Sequence, residues 1–493
     1  MKISLRSLLA KQGETFAQTM LDIYLTNTAD HKKEKFTPLS DKRVGIYSCG
    51  PTVYWNQHIG HMYAYTQWDI LVRFFRYIGY EVKWIMNLTD VGHMTSDEDT
   101  GEDKMEKGAK REGLTVWQIA DKYIAQFLDS MQLLNIQKPD VLCRATDHIS
   151  DQIKLIEKIE KNGFTYKTKK GLVFDTSRFS DYSKFAQLKL DKQKVGSRSE
   201  VEVDSEKKAP WDFFLWVFDP KHIMKWPSPW GEGYPGWHIE CTAMSTKYLG
   251  DNFDIHTGGM DHLPVHHTNE IAQGYGAFGR TTANFWLHNG MLGGSSGEKM
   301  SKSLGNFVTA QELVDKGYDP LALRYLYLNS NYRNGVVFTF EALDNAQSSL
   351  SNLQALVLAA KIDKGRPTLS AEKEKKLEAL KQEFATALAD DLNVSSALAV
   401  LWKALKSNIP SEDKYDLALS FDEVLGLRLA QVSDFQLPTP DEVKDLINTR
   451  DNLRKEGKFE EADKVREEIK NKGFILEDTS KGTVLKSVKK LTN

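Results

Sequence analysis

Hydrophobic and polar positions change period along this chain, and the changes outline its elements. Val44-Gly45-Ile46-Tyr47-Ser48-Cys49 is a short apolar run halted by Gly50-Pro51, which predicts a strand. Ile70, Leu71, Phe74, Phe75 and Ile78 then recur at helical spacing, and Gly79 supplies the stop. Glu81 to Leu88 predicts the next strand. Strand, helix and strand in that order imply a parallel sheet, whose ligands gather at the carboxyl ends of its strands. Cys49 and Thr89 both fall at such ends.

From about Gln137 to Trp230 the pattern becomes that of an insertion, with a charged run from Lys189 to Lys208 that reads as a loop. Sheet character returns at Asn252-Phe253-Asp254-Ile255-His256. Beyond Ala342 the chain turns helical, carried by Leu350, Leu353, Leu356 and Val357, then by Leu377, Leu380, Phe384 and Leu388, then by Ala397, Leu398, Val400 and Leu401. Leu437-Pro438-Thr439-Pro440 reads as a linker, and a small module with its own helices follows from Glu442, with Gly473 as a stop. The expected class is α/β: a Rossmann-like parallel-sheet catalytic domain with an inserted domain, followed by a helical bundle and a small C-terminal domain.

Composition narrows the picture. With 41% hydrophobic and 27% charged residues the chain reads as an ordinary folded protein rather than a disordered or membrane one. A net charge of −3 gives no overall field for a polyanion, so nucleic-acid contact has to come from local patches. No apolar run approaches the length of a membrane span. Three cysteines exclude a disulfide framework and fit a reducing, cytoplasmic setting. Met1 to Thr19 lacks a secretory core and reads as an extension ahead of a strand-like start at Leu21.

Two short stretches carry the chemistry. His58-Ile59-Gly60-His61 follows the first strand, and Lys299-Met300-Ser301-Lys302-Ser303 lies on a Gly/Ser-rich loop downstream. Imidazoles and flexible ammonium groups converging on a triphosphate suit adenylyl transfer, where charge builds on the α-phosphate and the leaving pyrophosphate. Taken alone, His58 and His61 also read as helix-start histidines with satisfied hydrogen bonds. Cys49, Cys241, His266 and Glu270 offer two thiolates, an imidazole and a carboxylate, a set that suits tetrahedral zinc. His266 and Glu270 are one helical turn apart. The bland alternative is two buried cysteines and a helix-face pair, and Cys143 reads as simple core. A metal beside a nucleotide site makes sense if the substrate brings a soft ligand, because zinc prefers a thiolate and serine offers none at neutral pH.

The two stretches resemble the nucleotide-binding motifs of class I aminoacyl-tRNA synthetases, and the chain after Met20 resembles the cysteinyl-tRNA synthetase family over nearly its whole length. Cys49 to Tyr54 running into His58 to His61, Pro235 to Met244, His262 to Gln273 and Glu298 to Phe307 carry the resemblance. It implies zinc, one per chain, on Cys49, Cys241, His266 and Glu270. It implies a cysteine pocket at Gly50, Thr89, Trp237 and Asp261, the aspartate pairing with the substrate ammonium. ATP, with Mg2+, would meet His58, His61 and Lys302, with Lys299 in support. The units implied are an extension (1–20), a catalytic domain in two halves (21–137 and 231–282), a connective insertion (138–230), a stem-contact region with the lysine pentad (283–345), a helical bundle (346–436) and an anticodon-binding domain (437–493). The partners implied are L-cysteine, ATP and tRNA(Cys), with no membrane and a monomeric chain. His238, His256, His262 and His267 stay unassigned.

There are departures from the family pattern. Met62-Tyr63-Ala64-Tyr65 replaces smaller, often basic residues, Asn331 stands where histidine is frequent, and Val91 to Gly113 is a long charged insertion. Two alternatives share the motifs: a cysteine ligase of mycothiol biosynthesis, which has no use for the terminal module, and a non-catalytic metal- or RNA-binding paralogue.

Overall fold

A computed structural model describes residues 21–92, 103–187, 206–293, 307–363, 370–432, 441–471, 474–479 and 482–487. An antiparallel pair, β1 (Tyr24–Asn27) and β2 (Lys32–Lys35), precedes β3 (Arg43–Ser48). Helix α1 (Ile59–Tyr77) crosses to β4 (Glu81–Leu88), and α2 (Lys104–Glu112) and α3 (Val116–Leu133) lead to β5 (Val141–Arg144). After α4 (Ile149–Lys161) comes a four-stranded antiparallel sheet of β6 (Thr165–Lys167), β7 (Gly171–Phe174), β8 (Phe213–Val217) and β9 (Tyr234–Pro235). The chain then returns through α5 (Trp237–Leu249), β10 (Phe253–Gly259), α6 (Thr268–Phe278) and β11 (Ala283–Asn289).

The main sheet has the order β11-β10-β3-β4-β5, and every pairing in it is parallel. Alternation explains how it is covered on both faces. Val44, Ile46, Trp84 and Met86 enter one core with α1, while Tyr47, Ile85 and Cys143 enter another with α4, α5 and α6. Strand order reverses between β3 and β10, so a crevice opens there at the carboxyl edge, where ligands of such sheets bind. The sheet runs past both boundaries expected for the catalytic halves. Val141–Arg144 pairs with β4 and Ala283–Asn289 pairs with β10, although the expected limits were 137 and 282. The place of both strands is set by pairing with partners distant in sequence.

Beyond the sheet, β12 (Leu292–Gly293) pairs with β13 (Val336–Val337), with α7 (Ala310–Asp315) and α8 (Pro320–Leu328) between them. Four helices follow: α9 (Phe340–Ile362), α10 (Ala371–Ala389), α11 (Val394–Lys406) and α12 (Ser411–Leu425). The expected apolar positions face inward, and the Phe384 and Phe421 rings stack with centroids 4.0 Å apart. The last module comprises α13 (Asp441–Lys455), α14 (Phe459–Asn471) and an antiparallel hairpin of β14 (Phe474–Thr479) and β15 (Gly482–Ser487), around Val443, Ile469 and Leu476. The linker at Leu437–Pro440, the Gly473 stop, most of the Lys189–Lys208 run and residues 1–20 lie outside the described residues. Among the described residues no helix is long and apolar enough to cross a membrane.

Two polar hubs join the bundle to α1 and to β1. Arg324 on α8 is fully buried and donates to Asp69 of α1 at 2.6 Å, while Arg73 donates to the same oxygen at 2.8 Å. Arg324 also donates to the carbonyls of Leu425 (2.7 Å), Leu134 (3.0 Å) and Asn135 (3.2 Å), joining α12 and α3 to α1. Asp391, in a left-handed backbone conformation that aspartate tolerates, accepts from Thr26 N and Oγ1, the Tyr332 hydroxyl and Arg333 Nε, all within 2.9 Å.

Candidate active site

One cavity of about 670 Å3 occupies the crevice at the carboxyl edge of the sheet. It is lined by Cys49 and Gly50 after β3, Thr89 after β4, Trp237 and Cys241 on α5, Asp261 and His266 after β10, and His58 and His61 at the start of α1. Residues from five separate segments thus meet in a single space.

At its base, one atom from each of Cys49, Cys241, His266 and Glu270 lies within 4.8 Å of every other, and all four residues are buried. A π-type turn at Leu263–His267 leads into α6, so His266 and Glu270, four residues apart, project to one side. The two sulfurs are 4.0 Å apart and His266 Nε2 is 3.1 Å from Glu270 Oε1. Two thiolates bound tetrahedrally to one zinc would stand about 3.8 Å apart, close to the separation seen. Glu270 Oε2 is buried with no hydrogen-bond partner. Burial pushes both the Glu270 carboxyl and the Cys49 thiol well above their ordinary values. A bound cation would remove that penalty, so the residues fit a thiophilic divalent metal.

The unassigned histidines surround this cluster. His256 Nε2 and His267 Nε2 lie 3.5 Å and 3.3 Å from Cys49 Sγ, and with Cys49 and Glu270 they form a second group whose ligand atoms also lie within 4.8 Å of one another. Only the first group carries two sulfurs, which favours it for a borderline-soft ion. His266 Nδ1 meets His238 Nδ1 at 3.0 Å, and His267 Nδ1 meets His288 Nε2 at 2.7 Å. The His288 ring reaches Thr28 Oγ1 at 2.9 Å through its other nitrogen. Burial pushes His256 and His267 well down and His288 to about 3, which keeps these rings neutral, as ligation and support require.

At the opposite end, His58 caps α1. Gly60 N donates to His58 Nδ1 at 3.0 Å, and His58 N donates to His61 Nδ1 at 3.3 Å, closing a capping box made of two imidazoles. Each Nδ1 is therefore an acceptor, so the neutral rings carry their proton on Nε2. The first turn has no acidic residue, which leaves the positive end of the helix for an anion. The sequence admitted two readings for this pair, cap or phosphate ligand, and the geometry makes the first compatible with the second.

Between these ends, Thr89 Oγ1 donates to Glu240 Oε2 at 3.0 Å and accepts from Asn87 Nδ2 at 2.9 Å. Asn87 Oδ1 in turn accepts from Gly50 N at 2.7 Å. Gly50 is required here, because a Cβ would overlap the Asn87 carbonyl oxygen. Trp237 stands as a wall with its ring 4.5 Å from that of His266, and Asp261 follows the end of β10.

Lys299 and Lys302 lie outside the described residues. The other ten predicted site residues surround the same crevice, with Glu270 just behind the cavity wall. Sequence reasoning missed His288, Thr28 and Glu240. A glutamate directly before Cys241 was the one visible signal; His288 sits on a strand whose pairing no local pattern reveals.

Residues 35–348 match the family described as tRNA synthetases class I (C) catalytic domain. Methionyl-tRNA synthetase of Mycobacterium tuberculosis, bound by methionyl-adenylate, shares the fold with a TM-score of 0.53 at 17% identity, covering 79% of this chain and 91% of that one. Sheet, crevice and family match define a class I aminoacyl-tRNA synthetase. Cysteine--tRNA ligase 1 of Burkholderia lata is 43% identical over 94% of this chain and 96% of its own length. The cysteine--tRNA ligase of Treponema denticola is 40% identical over 95% of this chain and 100% of its own. The chain belongs to the cysteine--tRNA ligase family.

Proposed function

We propose that this enzyme activates L-cysteine with ATP and transfers it to tRNA(Cys), selecting its substrate through a metal held by Cys49, Cys241, His266 and Glu270. One observation carries the reading: a two-sulfur ligand cluster and an imidazole-capped helix start share one cavity. When bound, zinc would supply a soft Lewis acid for the substrate thiolate, which serine and alanine cannot match.

The remaining roles belong to the chain's own groups. Asp261 pairs with the substrate ammonium, Trp237 bounds a small side-chain space, and Gly50 and Thr89 shape the wall opposite. The substrate carboxylate attacks the α-phosphorus in line, the bond to the leaving pyrophosphate breaks, and cysteinyl-adenylate results. His58 and His61 donate from Nε2 to the phosphates at the positive end of α1, with Lys302 and Lys299 following the pyrophosphate. A terminal ribose hydroxyl of the tRNA then attacks the adenylate carbonyl and AMP leaves. No protein nucleophile is needed, so catalysis consists of positioning and charge stabilisation. The helical pair and hairpin after residue 440 favour tRNA over an amino-sugar acceptor, which needs no such module.

ATP–pyrophosphate exchange with cysteine and with serine tests the reading, followed by charging of tRNA(Cys). A pocket without metal selection separates near-isosteres by about 10²-fold, so a cysteine-to-serine ratio in kcat/KM above about 10³ is expected. Equal rates for the two amino acids would refute metal selection, and absence of exchange with either would refute the activity.

A further inference from the structure

The charged insertion that departs from the family pattern ends in α2, and this helix turns a cationic face to the cavity. Lys104, Lys107 and Arg111, at spacings that share a face, all line it. The face starts beside Trp237, whose ring centroid is 5.3 Å from Lys104 Nζ. It ends beside Trp55, over which the Arg111 guanidinium lies at 3.5 Å. Seven steps at the helical rise, from Lys104 to Arg111, make the stripe about 10 Å long. Its position is fixed from outside: His222 Nε2 is 3.2 Å from Asp103 Oδ2, and Ile223 N donates to Glu106 Oε1 at 2.9 Å.

The nucleotide wall is elsewhere. Ile59 N donates to the Val308 carbonyl at 2.8 Å and the His58 ring meets Phe307 edge-on at 5.4 Å, so the histidine pair packs against the segment that follows the lysine pentad. The cavity therefore has the positive end of a helix on one wall and a stripe of cationic side chains on another, and the proposed reaction brings two polyanions, a triphosphate and an RNA strand. We propose that Lys104, Lys107 and Arg111 are the track of the tRNA 3′ end, taking phosphates of the single-stranded acceptor terminus as it carries its ribose toward the amino-acid wall at Trp237. This rests on the proposed function, with tRNA as the second substrate. Charge complementarity along a single strand gives the grip, and no base is read.

Lys107 is exposed, so its substitution leaves the core untouched. In the full-length enzyme, Lys107→Ala is expected to raise KM for tRNA about tenfold and Lys107→Glu further, with Lys107→Arg restoring most of the loss. The slope of log kcat/KM for tRNA against log salt should fall by about 0.7 for each phosphate that the variant ceases to neutralise, a readout that a purely structural role would not move. Cysteine-dependent ATP–pyrophosphate exchange, which contains no tRNA, should change less than about twofold. Unchanged tRNA KM and salt slope in Lys107→Glu would overturn the track. Exchange falling in step with charging would overturn it in favour of a triphosphate site. Absence of exchange in the unsubstituted enzyme would overturn the parent function, and is thereby told apart from failure of the track alone.

Discussion

Cys241→Ser should strip the enzyme of its metal and reduce cysteine-dependent exchange by more than about 10²-fold. Loss of a mere supporting partner of a metal ligand typically costs 10- to 100-fold in metal affinity or activity, and a direct ligand costs more. A serine hydroxyl at this position does not ionise, so the set would keep one sulfur, one imidazole and one carboxylate. Cys49 and Glu270 already lie in surroundings where burial opposes their charged forms, and both would revert to neutral thiol and acid. Elemental analysis should find about one zinc per unsubstituted chain and less than about a tenth of that in the variant. Chelation of the unsubstituted protein should reproduce the kinetic loss, and added zinc should reverse it. Full metal content in Cys241→Ser would rule out the cluster as the binding site.

Arg324→Ala should be the most damaging substitution away from the cavity. The guanidinium is buried and gives hydrogen bonds to Asp69 and to three main-chain carbonyls from two other helices. Removing one partner of a buried pair costs about 3–5 kcal/mol, because the carboxylate and the carbonyls each lose a donor without gaining water. For a folding unit of roughly 200 residues that corresponds to a fall of about 10 °C in Tm. Arg324→Lys should recover little, since one ammonium cannot span the same fork of acceptors. Gly426 belongs to the same arrangement: it ends α12 with φ +66°, and a side chain there would press into the guanidinium. Differential scanning calorimetry would check the prediction, and a Tm within about 2 °C of the unsubstituted protein would contradict it.

What could be read from the sequence was local or chemically marked. Glu81–Leu88 emerges with the expected bounds, and α1 stops ahead of Gly79 as expected, because a largely apolar run and a helical stripe are written into consecutive residues. Cys49, Cys241, His266 and Glu270 could be nominated because the flanking motifs and the family resemblance single them out, where the four alone would read equally well as buried cysteines and a helix-face pair. Long-range pairing was not legible. Val141–Arg144 and Ala283–Asn289 are strands of the main sheet through partners far away in sequence, and the antiparallel sheet inside the insertion has the same origin. Arg324 sits within Leu321-Ala322-Leu323-Arg324-Tyr325, where a charged residue reads as the solvent side of a helix. Its burial follows from acceptors that α1, α3 and α12 supply. The supporting ring of His288 was hidden for the same reason, whereas His238 and His267 stood beside the ligand motifs without an assigned role.

The capping seen at His58 and His61, together with the phosphate contact proposed for them, changes what substitution at these positions can measure. Alanine would remove a donor to the phosphates and, in the same stroke, unfasten the first turn of a helix that is bolted to Arg324 through Asp69. A lost rate would then mix chemistry with fraying. Asparagine, whose amide oxygen can take over the role of Nδ1, keeps the turn closed while withdrawing the ring, and so separates the two contributions.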